Sequence, residues 1–216
     1  MIDSFSTMPV PSQALGRVRL RLAPEIRIEQ ILDGALIEFS ERGFTATRMD
    51  DIAQRCSLSK GGLYAHFKSK DEVFAALLQR SFTPPDWSGM PAYDAQHGVR
   101  PIATWLVHQL HHTLMSPTSV NTLRLLVSES ARMPHLVAQW EQNVLQPHLA
   151  LLGKALEPFG GSERATTSVV VREPWLALAP VVHALLAQVV FGQRRHKNLA
   201  DYQQGHIDLL CELLER

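Results

Sequence analysis

Thr47-Arg48-Met49-Asp50-Asp51-Ile52-Ala53-Gln54-Arg55-Cys56-Ser57-Leu58-Ser59-Lys60-Gly61-Gly62-Leu63-Tyr64-Ala65-His66-Phe67-Lys68-Ser69-Lys70-Asp71-Glu72-Val73-Phe74 is the stretch on which the fold turns. Thr47 is placed to cap a helix, with Asp50 three residues on in a weaker version of the capping box. Met49, Ile52 and Ala53 then face inward, and the helix ends near Cys56. Ser57-Leu58-Ser59 makes a tight turn, and Ser59 is placed to cap a short helix over Lys60 to Phe67. Ser69-Lys70-Asp71-Glu72 is a full capping box that opens another helix, with Val73, Phe74, Leu77 and Leu78 as its apolar stripe. Two short helices joined by about three residues match a helix-turn-helix. The outer side of the second of them carries Ser59, Lys60, Gly61, Gly62, Tyr64 and His66. Two glycines inside so short a helix cost about 1 kcal/mol each relative to alanine. Close approach to another backbone is one reason to keep them, and a barely regular helix is the plainer alternative.

Upstream, Pro24 suits the first position of a helix. Ile28, Ile31, Leu32, Ala35, Leu36 and Phe39 recur at three-and-four spacing and form one stripe, and Gly43 stops the helix. Residues 24–81 therefore read as four helices with very short links. Lys60 can reach a base edge or a phosphate, and Tyr64 and His66 suit phosphate or thymine-methyl contacts. The first amides of the helix after Ser69 form an anion site to which Lys70 adds charge, and Thr47 with Arg48 does the same one helix earlier. Residues 1–80 hold 11 Lys and Arg against 10 Asp and Glu, a net charge of +1. DNA binding must then rest on geometry, with the acids on the far face, which Glu29, Asp33, Glu38 and Glu41 of the first helix are expected to form. Met1 to Ala23, with Arg17, Arg19 and Arg21, reads as a flexible basic N-terminal arm.

The ordered run from Thr47 to Phe74, with Gly43-Phe44 before it, resembles the DNA-binding domain of TetR-family transcriptional regulators over about residues 24–80. The resemblance implies an all-α protein: an N-terminal helix-turn-helix DNA-binding domain (24–81) and a C-terminal helical ligand-binding and dimerisation domain (82–216). It implies DNA contacts at Thr47, Lys60, Tyr64, His66 and Lys70. Arg48 is added on charge and placement, and Ser59 and Gly61 complete the candidate face. One departure is Cys56-Ser57, where the family often has Ala-Gly; Ser57 must accept a backbone geometry that glycine makes easy. Gly62 stands where a small hydroxyl or alanine is common. Family members mostly repress, so a repressor released from double-stranded operator DNA by a small molecule is the implied function.

Pro84, Pro85, Gly89 and Pro91 interrupt regular structure and place a junction at 82–100. Beyond it, helices are expected over Pro101–Met115, Ser119–Arg132, Pro134–Leu156 with a kink at Pro147, Pro174–Phe191 with Pro180 inside, and Leu199–Leu214. Residues 157–172 read as a loop, partly helical, with Val169-Val170-Val171 the only strand-like run and too short for a sheet. The helix before Phe191 is apolar nearly all round, so it needs burial on several faces, and a homodimer through the last two helices supplies it. Leu123 to Leu136 resembles one C-terminal subgroup of such regulators without naming a ligand. Candidate pocket residues are Trp105, His108, His112, Met115, Arg124, Val127, Glu129, Trp140 and Trp175, for a small, largely apolar ligand; Leu106 and Leu126 are further bulky candidates.

The 216 residues carry 21 Lys and Arg against 21 Asp and Glu, which excludes a wholly basic, nonspecific nucleic-acid coater. The apolar share of 45% suits a folded globular chain. Two cysteines make no disulfide framework, no apolar run spans a bilayer, and the N-terminus lacks a signal pattern, so a cytoplasmic protein is expected. No glycine-rich phosphate loop, Gly-x-Ser-x-Gly elbow or paired-cysteine metal motif occurs, so neither an enzyme nor a cofactor is expected. Two alternatives stay open. His108 and His112 share a helical face and could serve a metal-dependent sensor or enzyme, with Glu129 or His183 as a third ligand. The chain could also be a DNA-binding adaptor with no small-molecule ligand.

Overall fold

The computed structural model of the chain describes residues 23–84, 86–160, 168–192 and 198–215. The basic arm over residues 1–22 and the glycine-rich stretch from Gly161 lie outside the described residues. The described residues are helical, with no strand among them.

The first four helices follow the apolar stripes. α1 (Pro24–Arg42) begins on its proline, and Gly43, at φ +80°, closes it by giving its N–H to the Phe39 carbonyl at 2.9 Å. α2 (Met49–Arg55), α3 (Lys60–Tyr64) and α4 (Lys70–Ser81) pack against it around Ile31, Phe39, Ile52, Leu63, Phe74 and Leu77, all at most 1% exposed. The rings of Phe39, Phe44 and Phe74 meet with centroids 5.2 to 6.1 Å apart, offset and edge-on as their quadrupoles favour.

Local details differ from the expectation. Thr47 is not the cap of α2: Arg48 is, and its N–H is held by the Asp51 carboxylate at 2.8 Å. Thr47 is buried, and its hydroxyl bonds the carbonyls of Gly43 (2.8 Å) and Glu38 (3.2 Å), tying the turn to the end of α1. α3 stops at Tyr64, not Phe67, as two weak helix formers in a five-residue helix would lead one to expect. Ser59 does cap it, accepting from Gly62 N at 3.1 Å. Ser69 caps α4 through Glu72 N, but Glu72 reaches back to the N–H of Lys68, one residue beyond the box.

Glu29, Asp33 and Glu41 of α1 are exposed while pairing with neighbouring helices, and only Glu38 is buried. Arg80 of α4 bonds both Glu29 and Asp33 at 2.9 Å, and Arg55 of α2 bonds Glu38 and Glu41. Glu38, 4% exposed, also holds Arg42 at 3.2 Å. These carboxylates fasten α2 and α4 to α1, and a buried carboxylate of this kind must be paired to persist.

After a loop pinned by the Asp94 turn come α5 (Arg100–Leu114), α6 (Pro117–Glu129) and α7 (Pro134–Trp140). α7 leads through a π turn (Glu141–Leu145) into α8 (Gln146–Leu156). The π turn is where Pro147, which offers no N–H and crowds the preceding carbonyls, is accommodated. Val169–Arg172 forms a single helical turn, α9, in the stretch read as a partly helical loop. Pro180 does not lie inside a helix: Pro174–Ala177 is a separate 3-10 turn, and α10 (Ala179–Phe191) starts one residue before Pro180, where a missing N–H costs nothing. α11 spans Leu199–Leu214, as expected.

Two apolar cores result. The first is that of α1–α4, and it continues into Leu125, Leu126, Met133 and Leu136 of α6 and α7. The second joins α5, α8, α9, α10 and α11 around Leu106, Leu152, Val170, Val181 and Leu210. Among the described residues no helix is long and apolar enough to cross a membrane.

Candidate nucleic-acid interface and apolar cavity

The α2–α3 turn is tight because Leu58 returns its N–H to the Ala53 carbonyl at 2.8 Å. That return forces Ser57 to φ +53°, the one positive φ outside glycine among the described residues. Arg48, Ser59, Lys60, Gly61 and Tyr64 are exposed around this turn and on α3, and His66 is half-buried behind them. Lys60 Nζ rests 3.2 Å from Asp50 and 6.0 Å from the Tyr64 ring, all at the surface. Such an exposed pair is worth at most about 1 kcal/mol, so the ammonium is easily released to a phosphate. A Cβ placed on Gly61 would meet nothing within 4 Å, whereas one on Gly62 would press the capping Ser59 oxygen at 3.2 Å. No contact within the protein therefore calls for glycine at 61.

Two residues expected at this face are turned inward. Thr47 is 1% exposed, with its hydroxyl committed as described. Lys70 Nζ donates to the carbonyls of Phe44 (2.6 Å), Thr45 (3.2 Å) and Thr47 (2.9 Å), and lies 4.4 Å from the Phe44 ring centre. All three of its N–H bonds are thereby used. Burial lowers its pKa, with Asp71 and Glu129 acting against that. Lys70 braces the 43–47 turn that carries Arg48. Lys68, between α3 and α4, is exposed as well.

A cavity of about 260 Å³ lies between α5, α6, α7, α8 and α10. Phe82, Leu110, Leu126, Trp140, His148 and Leu185 are among its walls. Of the nine expected pocket residues only Trp140 lines it; Leu126, one of the further bulky candidates, does too. Trp105 packs on Trp87, with ring centroids 5.9 Å apart, and Leu106 is core. His108, His112 and Met115 line an open groove on another face of α5. Arg124 and Glu129 border a wide cleft between α1 and α6, where Arg124 holds Asn121 and Glu129 holds Arg132. Val127 and Trp175 are 58% and 52% exposed. The reason is rotational: Leu110, Thr113 and Leu114 turn toward the cavity on α5, and residues 105, 108, 112 and 115 fall on its other faces.

Among the described residues no three His, Cys, Asp or Glu side chains are grouped to hold a metal. Glu129 is occupied by Arg132, and His183 packs beside Tyr202 at 6.1 Å. The histidine that matters to the fold is His111. Its Nε2 lies 3.3 Å from His206 Nδ1, and His206 Nε2 lies 2.8 Å from the Ala177 carbonyl. A carbonyl only accepts, so His206 carries its proton on Nε2, and His111 donates from Nε2 to the free Nδ1. Burial pushes both down to about 4.

The model of the bacterial TetR family of regulatory proteins matches residues 31–77, which are α1 from its middle through most of α4. Over 60 residues the chain is 47% identical to the transcriptional activator FasR of Mycolicibacterium smegmatis, covering 28% of this chain and 27% of that protein. Over 54 residues it is 33% identical to IcaR of Staphylococcus epidermidis, a negative regulator of a biofilm operon, covering 25% and 29%. The chain thus aligns with little more than a quarter of the length of these curated relatives. The fold is shared much further. The flavonoid-responsive regulator FrrA superposes with TM-score 0.58 at 24% identity, over 85% of this chain and 92% of that one. The fatty acid degradation regulator FadR of Bacillus halodurans superposes with TM-score 0.62 at 20% identity, over 88% and 96%. Residues 31–77 therefore match a TetR-type helix-turn-helix, and the solved structures share the all-α fold over most of the chain.

Proposed function

We propose that this protein is a cytoplasmic, homodimeric transcriptional repressor that binds double-stranded operator DNA through α2 and α3 and is released by a small, largely apolar molecule. The observation that carries the reading is the row Arg48, Ser59, Lys60, Gly61 and Tyr64, exposed on a helix-turn-helix inside the family-matched residues. A short helix of this kind reads only a few base pairs, so two copies are needed to read two half-sites. Thr47 and Lys70 serve this face from behind, by holding the turn.

Val182, Leu186 and Val190 form an exposed stripe on α10 at four-residue spacing, 39%, 42% and 69% exposed, with Leu209 of α11 at 40%. That is the face assigned to the partner subunit. The cavity supplies the control. Phe82, at the end of α4, and Leu126 and Trp140 line it and also pack against the core of α1–α4. A ligand that fits better when these walls have moved favours a conformer in which the two reading heads no longer match their grooves. The presence of the cavity favours this reading over an adaptor without ligand.

The test is binding to a labelled DNA fragment from upstream of the gene, across a salt series. Specific binding should survive competitor, with two protomers or a multiple per site, and fall at least tenfold in Lys60→Ala and Tyr64→Ala. Unchanged affinity in both variants would reject the assignment of α3. Transcription from the same fragment, with and without the protein, separates repression from activation.

A further inference from the structure

The walls of the cavity specify what can enter it, and this inference rests on the proposed role of the cavity as the control site. No Asp, Glu, Lys or Arg lines it. Two of its lining side chains carry buried ring nitrogens that find no partner in the protein: Trp140 Nε1 and His148 Nε2. His148 is 9% exposed, and burial lowers its pKa, so the imidazole is neutral at pH 7. The Trp140 ring stands 5.6 Å from Phe82 at the end of α4, and the His148 ring stands 6.4 Å from Trp87. A buried indole N–H can only donate, and leaving it unpaired is unfavourable. The two residues are eight positions apart along α7, the π turn and α8.

We propose that the cavity binds a neutral, largely apolar molecule of about two-ring size with an uncharged oxygen toward each end, one accepting from the Trp140 indole and the other hydrogen-bonded to His148. A volume of 260 Å³ is close to the lower end for small-molecule sites, about 300 Å³, which sets the size. A carboxylate or ammonium ligand is excluded because its charge would be buried among apolar walls with no counter-charge. Of the two threonines that line the cavity, Thr83 already donates its hydroxyl to the Gln79 carbonyl, and neither carries a charge.

Calorimetry on the full chain without DNA tests this with three probes of one shape: 4,4′-dihydroxybiphenyl, biphenyl and biphenyl-4,4′-dicarboxylate. The dihydroxy compound should bind once per protomer. Biphenyl should bind about tenfold or more weakly, and the dicarboxylate at least a hundredfold more weakly. Trp140→Phe and His148→Phe should each weaken the dihydroxy compound about 5–10-fold more than they weaken biphenyl. The wild-type selectivity series needs no variant, so a variant that fails to fold leaves the test intact. Dicarboxylate binding as tight as the diphenol, or no diphenol binding up to 1 mM (on the order of the weakest useful affinity), would overturn the proposal. Operator binding is measured on the same protein separately. Diphenol binding without operator binding would sink the regulator reading and leave the ligand class standing.

Discussion

Ser57 occupies a place where the chain must turn between two short helices at φ +53°. An L-residue there costs about 1–2 kcal/mol, which glycine avoids, less the 0.4–1 kcal/mol that glycine adds to the freedom of the unfolded chain. Ser57→Gly should therefore stabilise the protein by roughly 0.5–1 kcal/mol and raise the melting temperature by about 2 °C. Thermal unfolding by circular dichroism reads this directly, and a lower midpoint would show that the serine is not strained. Gly61 poses the opposite question, since a Cβ there meets nothing within the protein. Gly61→Ala should leave stability equal or up to about 1 kcal/mol higher, yet weaken operator binding if DNA fills that space. A variant that binds DNA as well as the parent would remove Gly61 from the interface. Lys70→Met should cost about 1–2 kcal/mol in denaturant unfolding, because three backbone carbonyls lose their shared donor.

At the scale of elements, α5 and α11 pack along each other, joined by the buried pair His111 and His206 and by the exposed Arg100–Asp208 ion pair. In the unfolded chain each histidine takes a proton near pH 6.5; in the fold both are held neutral down to about 4. Folding therefore excludes protons. Its stability is complete above about pH 6.5 and falls as the pH drops from there toward 4, by about 1–2 kcal/mol per histidine at pH 5. Urea unfolding at pH 7.5 and 5.0 should show this loss, and a His111→Leu/His206→Leu variant should lose less across the same interval. An equal loss in the variant would place the acid sensitivity elsewhere. A charge on His108 also disfavours a proton on His111.

At the scale of the whole molecule, the exposed stripe Val182, Leu186 and Val190 leaves the protein with an apolar face that water would not favour. Leu186→Glu with Val190→Glu should yield a monomer by light scattering, with α-helical content retained. Its operator affinity should drop at least a hundredfold, since one reading head makes half the contacts. A double variant that remains dimeric would move the interface off α10.

The four N-terminal helices and the α2–α3 turn were legible in the sequence, because they depend on neighbours within one or two turns: stripes, the serine caps and the glycine after α1; Ser57 stood out only through the resemblance to the family. α11 was legible for the same reason. What the chain does with its buried polar atoms was not. Thr47 and Lys70 look like surface donors in the motif, and only the packed fold shows their hydroxyl and ammonium turned onto backbone carbonyls. The acids Glu29, Asp33, Glu38 and Glu41 show a helix face in sequence, but their partners Arg55 and Arg80 come from other helices. The cavity was least legible of all. An apolar stripe names the inward side of a helix, yet whether that side meets a neighbour or a void depends on how five helices cross, and that depends on tertiary packing. Periodicity therefore identified Trp140 only as a bulky candidate, while the packing selected it and set His148 beside it on the same cavity.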